Sequence, residues 1–198
     1  STNGYGWYAE TGTTIVCGTS TIRFTGALIA AVRFELASKS YYNLENATTG
    51  AFPLTISGSS TFNNIHIDAS VAARTVQFTA GTTTTVSTFT RDAGTNVITL
   101  GSITAASHTL TKTGGGNINF PYASISRSTA TPGSTWYATN STDAGNNSGW
   151  IFNGQFVTLT PTSATWTAPS KTAYTSTNTN STAVFATWTA PSKTITGR

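Results

Sequence analysis

Few side chains in this sequence could act as acids or bases. The carboxylates and histidines are Glu10, Glu35, Glu45, Asp68, Asp92, Asp143, His66 and His108. Residues 41–46 and 62–67 match at an offset of 21 residues, which would place Glu45 beside His66, about 4.8 Å apart on neighbouring strands. Asp68 is close by in sequence, and cleavage of a polysaccharide requires two carboxylates about 5–10 Å apart. The trio therefore predicts a depolymerase site as one alternative, and a surface charge pair as the simpler interpretation.

Motifs that could bind a metal ion or a phosphate are incomplete. Residues 143–147 are rich in oxygen atoms but have one carboxylate, where a calcium loop usually needs several. Residues 114–116 are three glycines without the helix and Lys-Ser/Thr of a phosphate loop, so we expect a tight turn. Cys17 resembles a small apolar strand residue, and His108 is expected to be exposed on a strand. The preferred interpretation has no catalytic residue, no metal and no cofactor.

The composition indicates a folded β protein with a nearly uncharged surface. Charged residues make up 8% of the 198 residues, against about 25% in ordinary soluble domains. Threonine, with 44 copies, replaces them, and its β-branched side chain suits the solvent face of a strand. The net charge of +4 comes from scattered Lys and Arg, whereas nucleic-acid binding would cluster them. No apolar run reaches the roughly 20 residues of a membrane span, and without an initial Met the chain is interpreted as a processed or trimmed product.

Short strands are the elements that would position these side chains. Apolar and polar residues alternate over four to six positions between Gly or Asn turns. The predicted strands are residues 14–17, 21–24, 41–46, 52–56, 62–67, 75–78, 85–90, 97–100, 108–112 and 118–126, the last with a break at Pro121. Residues 27–36 have helix propensity, but Val32 and Phe34 alternate with Arg33 and Glu35, which favours a strand with an outward ion pair. Without long helices between the strands, a βαβ sheet is excluded.

The 21-residue offset predicts how these strands assemble. A repeat of 20–25 residues made of strands and turns is typical of a solenoid, in which each turn buries its apolar face against its neighbours. Asn43 and Asn64 occupy equivalent places in the matching segments, and we expect structural roles for both, in turns or in a stacked amide ladder.

The two ends of the chain differ from its centre. Residues 1–12 are rich in Gly and aromatic residues and are predicted to form a cap or an arm, and residues 13–152 the β-helix domain. Residues 153–198 are a Thr-rich extension in which Ala-Thr-Trp-Thr-Ala-Pro-Ser-Lys-Thr occurs twice, at 164–172 and 186–194. This extension is interpreted as a small β module or an arm that pairs with a neighbouring subunit, or alternatively as a flexible stalk.

Residues 136–152 carry a more specific pattern. Trp-Tyr, a short loop, and then Ser-Thr-Asp-Ala-Gly-Asn-Asn-Ser-Gly-Trp-Ile-Phe resembles the closing signature of a β-helix repeat family seen in phage structural proteins and environmental surface proteins. The resemblance covers roughly residues 13–152. It implies a right-handed parallel β-helix in a phage fibre, spike or adhesin, and it carries no catalytic motif.

The predicted function is that of a non-enzymatic structural protein of an extracellular or virion surface assembly, a homo-oligomer or filament that self-associates through its terminal segments. Residues 156–198 have too few apolar groups to order themselves unaided, so they are predicted to pack on an adjacent subunit. The expected subunit contacts are Trp7, Trp166, Tyr174, Phe185 and Trp188. The alternative is a glycan-binding adhesin or receptor-binding module that stacks sugars on Trp136 and Tyr137. Neither interpretation involves nucleic acid or membrane insertion.

Overall fold

The computed structural model describes residues 5–9, 12–27, 30–35, 38–50 and 52–153. Predictions for the C-terminal extension, including the contacts of Trp166, Tyr174, Phe185 and Trp188, lie outside these residues. The described chain is all-β and contains no helix, and its parallel strands stack as the coils of a β-solenoid of about five turns. The predicted fold class is therefore confirmed. A search of the described residues finds no helix of the length and hydropathy needed to cross a membrane.

The strands form three parallel sheets that run along the solenoid. Sheet A contains β1 (Tyr5–Tyr8), β3 (Val32–Glu35), β5 (Leu54–Ser57), β7 (Arg74–Phe78), β9 (Ile98–Ser102), β12 (Ala123–Ile125) and β15 (Thr142–Asp143). Sheet B contains β2 (Thr21–Gly26), β4 (Ser40–Thr48), β6 (Ser60–Ile67), β8 (Thr83–Arg91), β10 (His108–Lys112) and β13 (Ser128–Thr131). Sheet C contains β11 (Ile118–Asn119), β14 (Trp136–Ala138) and β16 (Trp150–Phe152). Within each turn the chain passes from one sheet to another. The strands that pair within a sheet therefore come from successive turns.

The register confirms the 21-residue offset between β4 and β6. Tyr41 pairs with Phe62, Asn43 with Asn64, and Glu45 with His66. Within the ambiguous segment 27–36, the strand interpretation is confirmed for β3, where Arg33 and Glu35 form the expected outward pair at 3.8 Å.

Apolar side chains from successive turns stack inside the coil and form one continuous core. At its N-terminal end the core is aromatic. The ring centroid of Phe34 lies 5.3 Å from that of Tyr41 and 6.0 Å from that of Phe62, and Tyr41 stacks on Phe62 at 5.4 Å. Farther along, aliphatic residues fill the coil together with a second group of stacked aromatic residues, Phe89, Phe120, Trp136 and Trp150. Each turn thus provides the apolar surface that buries the next, as a solenoid requires.

The three long strands of sheet B share a local irregularity. In β4, β6 and β8, two consecutive residues lie outside the core between buried neighbours. These outer pairs are Tyr42–Asn43, Asn63–Asn64 and Ser87–Thr88. In the next turn residues 113–117, with the predicted glycine turn, separate β10 from β11, and Phe120 stacks on Phe89 at 4.5 Å. Sheet C therefore continues the second halves of the long strands.

The loop between β15 and β16 explains the pattern at residues 141–152 in structural terms. Asp143 Oδ1 accepts hydrogen bonds from Gly145 N at 2.9 Å and from Asn147 Nδ2 at 2.6 Å. Asn147 Oδ1 in turn accepts from the backbone N–H of Ser128, in the preceding turn, at 3.0 Å. The Asp143 carboxylate therefore fixes the loop through hydrogen bonds to Gly145 and Asn147.

Gly149 allows this loop to pass close to the preceding turn. Its φ is +76°, and a Cβ at this position would lie 1.9 Å from the carbonyl oxygen of Ala130. No other residue fits there without displacing backbone. The chain then enters β16, where Trp150 Nε1 donates to Ser128 Oγ at 3.0 Å. The Gly-Trp dipeptide of the signature thus closes the coil.

The structure contradicts the sequence predictions for residues 14–17 and for His108. Residues 14–17 form no strand, and Val16 is 90% exposed. His108 is buried at 1% exposure, where it stacks on Phe78 at 4.5 Å and its Nδ1 lies 2.9 Å from Ser102 Oγ. The alternation of β10 turns His108 inward with Leu110, because the pattern has a period of two and His108 and Leu110 are two residues apart. Burial lowers the pKa of His108 to about 4.

Candidate functional site

A connected group of polar side chains lies on the outer face of sheet B, across β2, β4, β6 and β8. We call it the polar grid. It consists of Thr21, Arg23, Asn43, Glu45, Asn64, His66, Asp68, Thr88, Thr90 and Asp92. The parallel register sets Thr21, Asn43, Asn64 and Thr88 in one column and Arg23, Glu45, His66 and Thr90 in the next. Asp68 and Asp92 directly follow the last paired residues of β6 and β8.

Amide and hydroxyl groups link the first column. Asn43 Nδ2 donates to Thr21 Oγ1 at 3.2 Å, and Asn43 Oδ1 accepts from Asn63 Nδ2 at 3.2 Å. Thr88 Oγ1 donates to Asn64 Oδ1 at 2.8 Å. The structural role expected for Asn43 and Asn64 is thus seen within strands, with Asn63 rather than Asn64 as the amide partner of Asn43.

His66 is held from two sides. Its Nε2 lies 3.1 Å from Asp92 Oδ1, and its Nδ1 lies 3.0 Å from Thr90 Oγ1. Asp92 Oδ2 accepts from the backbone N–H of Ala69 at 2.9 Å, which fixes the carboxylate. Since a carboxylate can only accept, a neutral His66 carries its proton on Nε2, and Nδ1 accepts from the Thr90 hydroxyl.

This order of hydroxyl, imidazole and carboxylate is the order found in nucleophilic hydrolases. Such a reaction also requires N–H groups that stabilise an oxyanion. The backbone N–H of Ala69 is already donated to Asp92, and the Thr90 hydroxyl also lies 3.2 Å from Asn64 Oδ1. The contacts of His66 therefore account for its position as a packed polar residue of the grid.

Glu45 pairs with Arg23 rather than with His66. Glu45 Oε1 lies 3.0 Å from Arg23 Nε, and the Arg23 side chain is 56% exposed. The predicted alignment of Glu45 with His66 is confirmed, but each side chain contacts a partner on its other side. Beside Glu45 and His66, a shallow pocket of about 220 Å³ also includes Asn43 and Asn64.

Asp68 is suited to remain ionised. Its Oδ1 accepts from the Ser70 hydroxyl at 2.6 Å and from the Ser70 backbone N–H at 3.0 Å. The Ser70 hydroxyl is the main cause that lowers the pKa of Asp68 to about 2. A general acid for glycoside cleavage needs a raised pKa, so Asp68 does not fit that role in the predicted trio of Glu45, His66 and Asp68.

The aromatic residues predicted to stack on sugars or subunits have different environments. Trp136 is fully buried, packs at 5.1 Å from Trp150, and donates from Nε1 to the carbonyl of Thr131. The prediction of Trp136 as a glycan-stacking platform is therefore wrong, because neither ring face reaches solvent. Tyr137 alternates with it and lies half-buried on the outer side of β14. Trp7 is 36% exposed.

Sequence reasoning missed Thr90 and Asp92 as partners of His66. The offset from β6 to β8 is longer than that from β4 to β6, since Ile67 pairs with Arg91, 24 residues later. A detectable signal was present: Phe62-Asn63-Asn64-Ile65 and Val86-Ser87-Thr88-Phe89 share the order apolar, two polar residues, apolar. Aligning these segments would have placed Thr90 beside His66.

Comparisons with family models, curated proteins and solved structures found no match. The resemblance of residues 13–152 to the phage-associated β-helix family therefore stays a prediction.

Proposed function

We propose that this protein is a non-enzymatic structural subunit of an extracellular or virion surface assembly and that it self-associates through its terminal segments. The observation that carries the proposal is the N-terminal end of the solenoid. Within the described residues, β1 has a strand neighbour only in β3, and β2 only in β4. Each therefore has one edge of backbone N–H and C=O groups free of described strands. Such edges favour pairing with another chain.

The position of Trp7 also supports the proposal that the N-terminal end of the solenoid is a contact surface. Its ring stacks on Phe34 with centroids 6.2 Å apart and meets Tyr41 edge-on at 6.5 Å. It thus extends the aromatic core while 36% of its surface remains exposed. A large aromatic side chain that is held in place and partly exposed is typical of the residues that anchor protein interfaces.

The chemistry of the polar grid supports a structural rather than a catalytic role. Glu45 is paired with Arg23, and Asp92 binds both His66 and a backbone N–H. Asp68 is held as a carboxylate by Ser70. In the described part of the chain, no group of three His, Cys, Asp or Glu side chains is placed to hold a metal ion.

The oligomeric state of the full chain tests the proposal. Light scattering after size-exclusion chromatography is expected to give an oligomer or filament, and Trp7→Arg is expected to reduce it to smaller species. Phe52→Arg is the matched control, because Phe52 is also exposed, at 46%, but precedes β5 in the middle of sheet A. A wild-type chain that is monomeric at high concentration would contradict the proposal.

Truncation after Gly154 tests the contribution of the C-terminal segment. If residues 155–198 pack on a neighbouring subunit, the shortened chain stays folded but associates less. Equal assembly by the truncated and full chains would remove this segment from the proposal, while the Trp7 experiment reports separately on the N-terminal end.

Glycan binding is the second candidate, and the pocket beside Asn43, Glu45, Asn64 and His66 favours it. Amide, carboxylate and imidazole groups around a shallow depression can donate and accept hydrogen bonds to sugar hydroxyls. A glycan array with the wild type and with Asn64→Ala tests this candidate. Hits that are lost in the variant support it, whereas the absence of hits removes it.

A further inference from the structure

Strand β2, at the N-terminal end of sheet B, has one backbone edge without a described partner. On its other edge it pairs with β4, and the N–H of Thr49 donates to the carbonyl of Gly26 at 2.8 Å. Along a parallel strand, residues that bond to one neighbour alternate with residues whose backbone groups point the other way. The even-numbered residues of β2 therefore face β4, and the N–H and C=O groups of Thr21, Arg23 and Thr25 point to the free edge.

The apolar interior of the solenoid is also open at this end. The inward-facing Ile22 and Phe24 of β2 pack against the core but are only partly buried. Their aligned partners in β4, Leu44 and Asn46, are at most 1% exposed. A solenoid turn buries its inner face against the next turn, and a free strand edge favours pairing with another chain. The N-terminal end therefore offers both a strand edge and apolar side chains to a partner.

The C-terminal end of the solenoid does not complement this surface. The last strand of sheet B, β13, already bonds to the final turn, since Ala130 N–H donates to the Ser148 carbonyl at 2.8 Å and Ser148 N–H to the Ser128 carbonyl at 3.0 Å. The last strand of sheet A, β15, has two residues, and such short edge strands resist pairing. Sheet C ends in β16 and has no counterpart among the described strands of the N-terminal end. A head-to-tail stack of copies would therefore not continue the sheets.

We propose that two copies of this chain associate through their N-terminal ends, with β2 of one copy antiparallel to β2 of the other. This inference rests on the proposed self-association and specifies its partner and its symmetry. A two-fold interface uses the same patch on both copies, so the patch has to complement itself. Such a contact closes at the dimer, whereas a contact between unlike ends would continue into a ring or a filament.

The side chains of β2 allow this antiparallel pairing. In the register that sets Phe24 opposite Phe24 of the second copy, Arg23 lies opposite Thr25. The two phenyl rings then form a cross-strand aromatic pair, and the two guanidinium groups avoid a destabilising contact of like charges. The free N–H and C=O groups of Arg23 meet those of Thr25, so the two edges satisfy each other. Arg23 keeps its ion pair with Glu45 at 3.0 Å on the outer face of the sheet.

Sedimentation velocity of the full chain over a range of concentrations tests the proposal. The wild type is expected to approach twice the chain mass of 20.6 kDa and to grow no further. Thr25→Pro removes an N–H from the free edge while the bonds to β4 remain, and it is expected to weaken the dimer by about tenfold or more. Thr25→Val keeps the N–H and is the matched control, so it should dimerise as the wild type does. Should Thr25→Pro fail to fold by circular dichroism, Thr25→Lys sets a cation opposite Arg23 of the second copy, and the same loss is expected.

Nitroxide labels locate the interface by electron spin resonance. In a Cys17→Ser background, labels on Thr25→Cys are expected to lie close together in the dimer, and labels on Thr142→Cys, exposed in β15 at the opposite end, far apart. A wild type that stays monomeric would overturn both this inference and the proposed function. An open filament, or a dimer that survives Thr25→Pro and brings the labels on Thr142→Cys together, would overturn the N-terminal pairing and leave self-association standing.

Discussion

The early turns of the solenoid, from β2 to β8, and the late turns, from β9 to β16, differ in strand length and in offset. In the early turns the strands of sheet B are long, and Leu44, Ile65 and Phe89 are aligned in successive strands of one core. In the late turns the strands shorten and the coil contracts. The offset between paired residues is 20 from His108 to Ser128 and 14 from Trp136 to Trp150.

The early and late turns also differ in backbone conformation. The late turns contain most of the described residues other than glycine that take the left-handed conformation. These are Tyr122, Arg127, Ser134, Asn140, Asn146 and Asn153, against Ser38 before β4. This conformation costs about 1–2 kcal/mol for residues other than Gly, Asn and Asp, here Tyr122, Arg127 and Ser134. Side-chain bonds to the backbone, such as those of Asn147 to Ser128 N–H and to the Ile125 carbonyl, offset this cost. Both parts of the coil thus stack apolar side chains, and the late turns are set apart by their shorter offsets and their left-handed residues.

The largest loss of unfolding free energy is expected from a substitution in the core of the early turns. Phe34 is fully buried and lies between Trp7 and Phe62 in the aromatic stack. Phe34→Ala removes these contacts and leaves a cavity, which costs about 3–5 kcal/mol of unfolding free energy. Urea denaturation measures the loss, and Phe52→Ala, at an exposed aromatic residue, serves as the control. Similar losses in the two variants would contradict the role of core stacking in the early turns.

A loss of about 3 kcal/mol or more is expected from Gly149→Ala in the late turns. The new Cβ would meet the Ala130 carbonyl, and the positive φ adds strain to the overpacking. Gly145→Ala separates the two causes, since Gly145 has a φ of +98° but no atom within 4 Å of a Cβ. Thermal unfolding should show a clearly smaller loss for Gly145→Ala. If both variants lose equally, the close contact with Ala130 is not decisive.

A pH dependence of about 3 kcal/mol is expected from His108, where early and late turns meet. Burial lowers its folded pKa to about 4, below the ordinary 6.5, so the unfolded chain binds the proton first. Stability is then constant above about pH 7 and falls as the pH drops from 6.5 towards 4, by about 1.4 kcal/mol per unit of pKa difference. Urea unfolding at pH 7 and pH 4.5 measures this fall, which His108→Phe should largely abolish. An unchanged slope in the variant would assign it to other groups.

The smallest effect is expected at the charge pairs of the early turns. Arg23 and Glu45 are 3.0 Å apart, with Arg23 mostly exposed, and such pairs contribute about 0.2–1 kcal/mol. Glu45→Gln should change the unfolding free energy by no more than this, and added salt should reduce the difference. Glu35→Gln, which removes the looser 3.8 Å pair with Arg33, is the comparison. A loss of several kcal/mol from Glu45→Gln would show that the polar grid contributes more to the unfolding free energy than its exposure predicts.

The sequence predicted the early turns better than the late ones, for a physical reason. Where the coil has a constant length, equivalent residues recur at a constant offset, so Tyr41 and Phe62, or Glu45 and His66, could be aligned by inspection. Where loops of different length interrupt the coil, the offset varies from turn to turn and the equivalence of Phe89 and Phe120 is hidden. The partners of His66 were missed where the offset between paired residues grows from 21 to 24, between β6 and β8.

The sequence by itself determined that the chain forms short strands, that these stack as a solenoid, and that its surface carries little charge. These properties follow from alternation, repeat spacing and composition, which are local or periodic. The tertiary structure alone decided that Trp136 and His108 lie inside the coil, that Asp92 rather than Asp68 holds His66, and that threonines of β8, β10 and β13 pair across three turns. Those outcomes depend on the register between turns, because a shift of one residue turns every side chain of a strand to its opposite face.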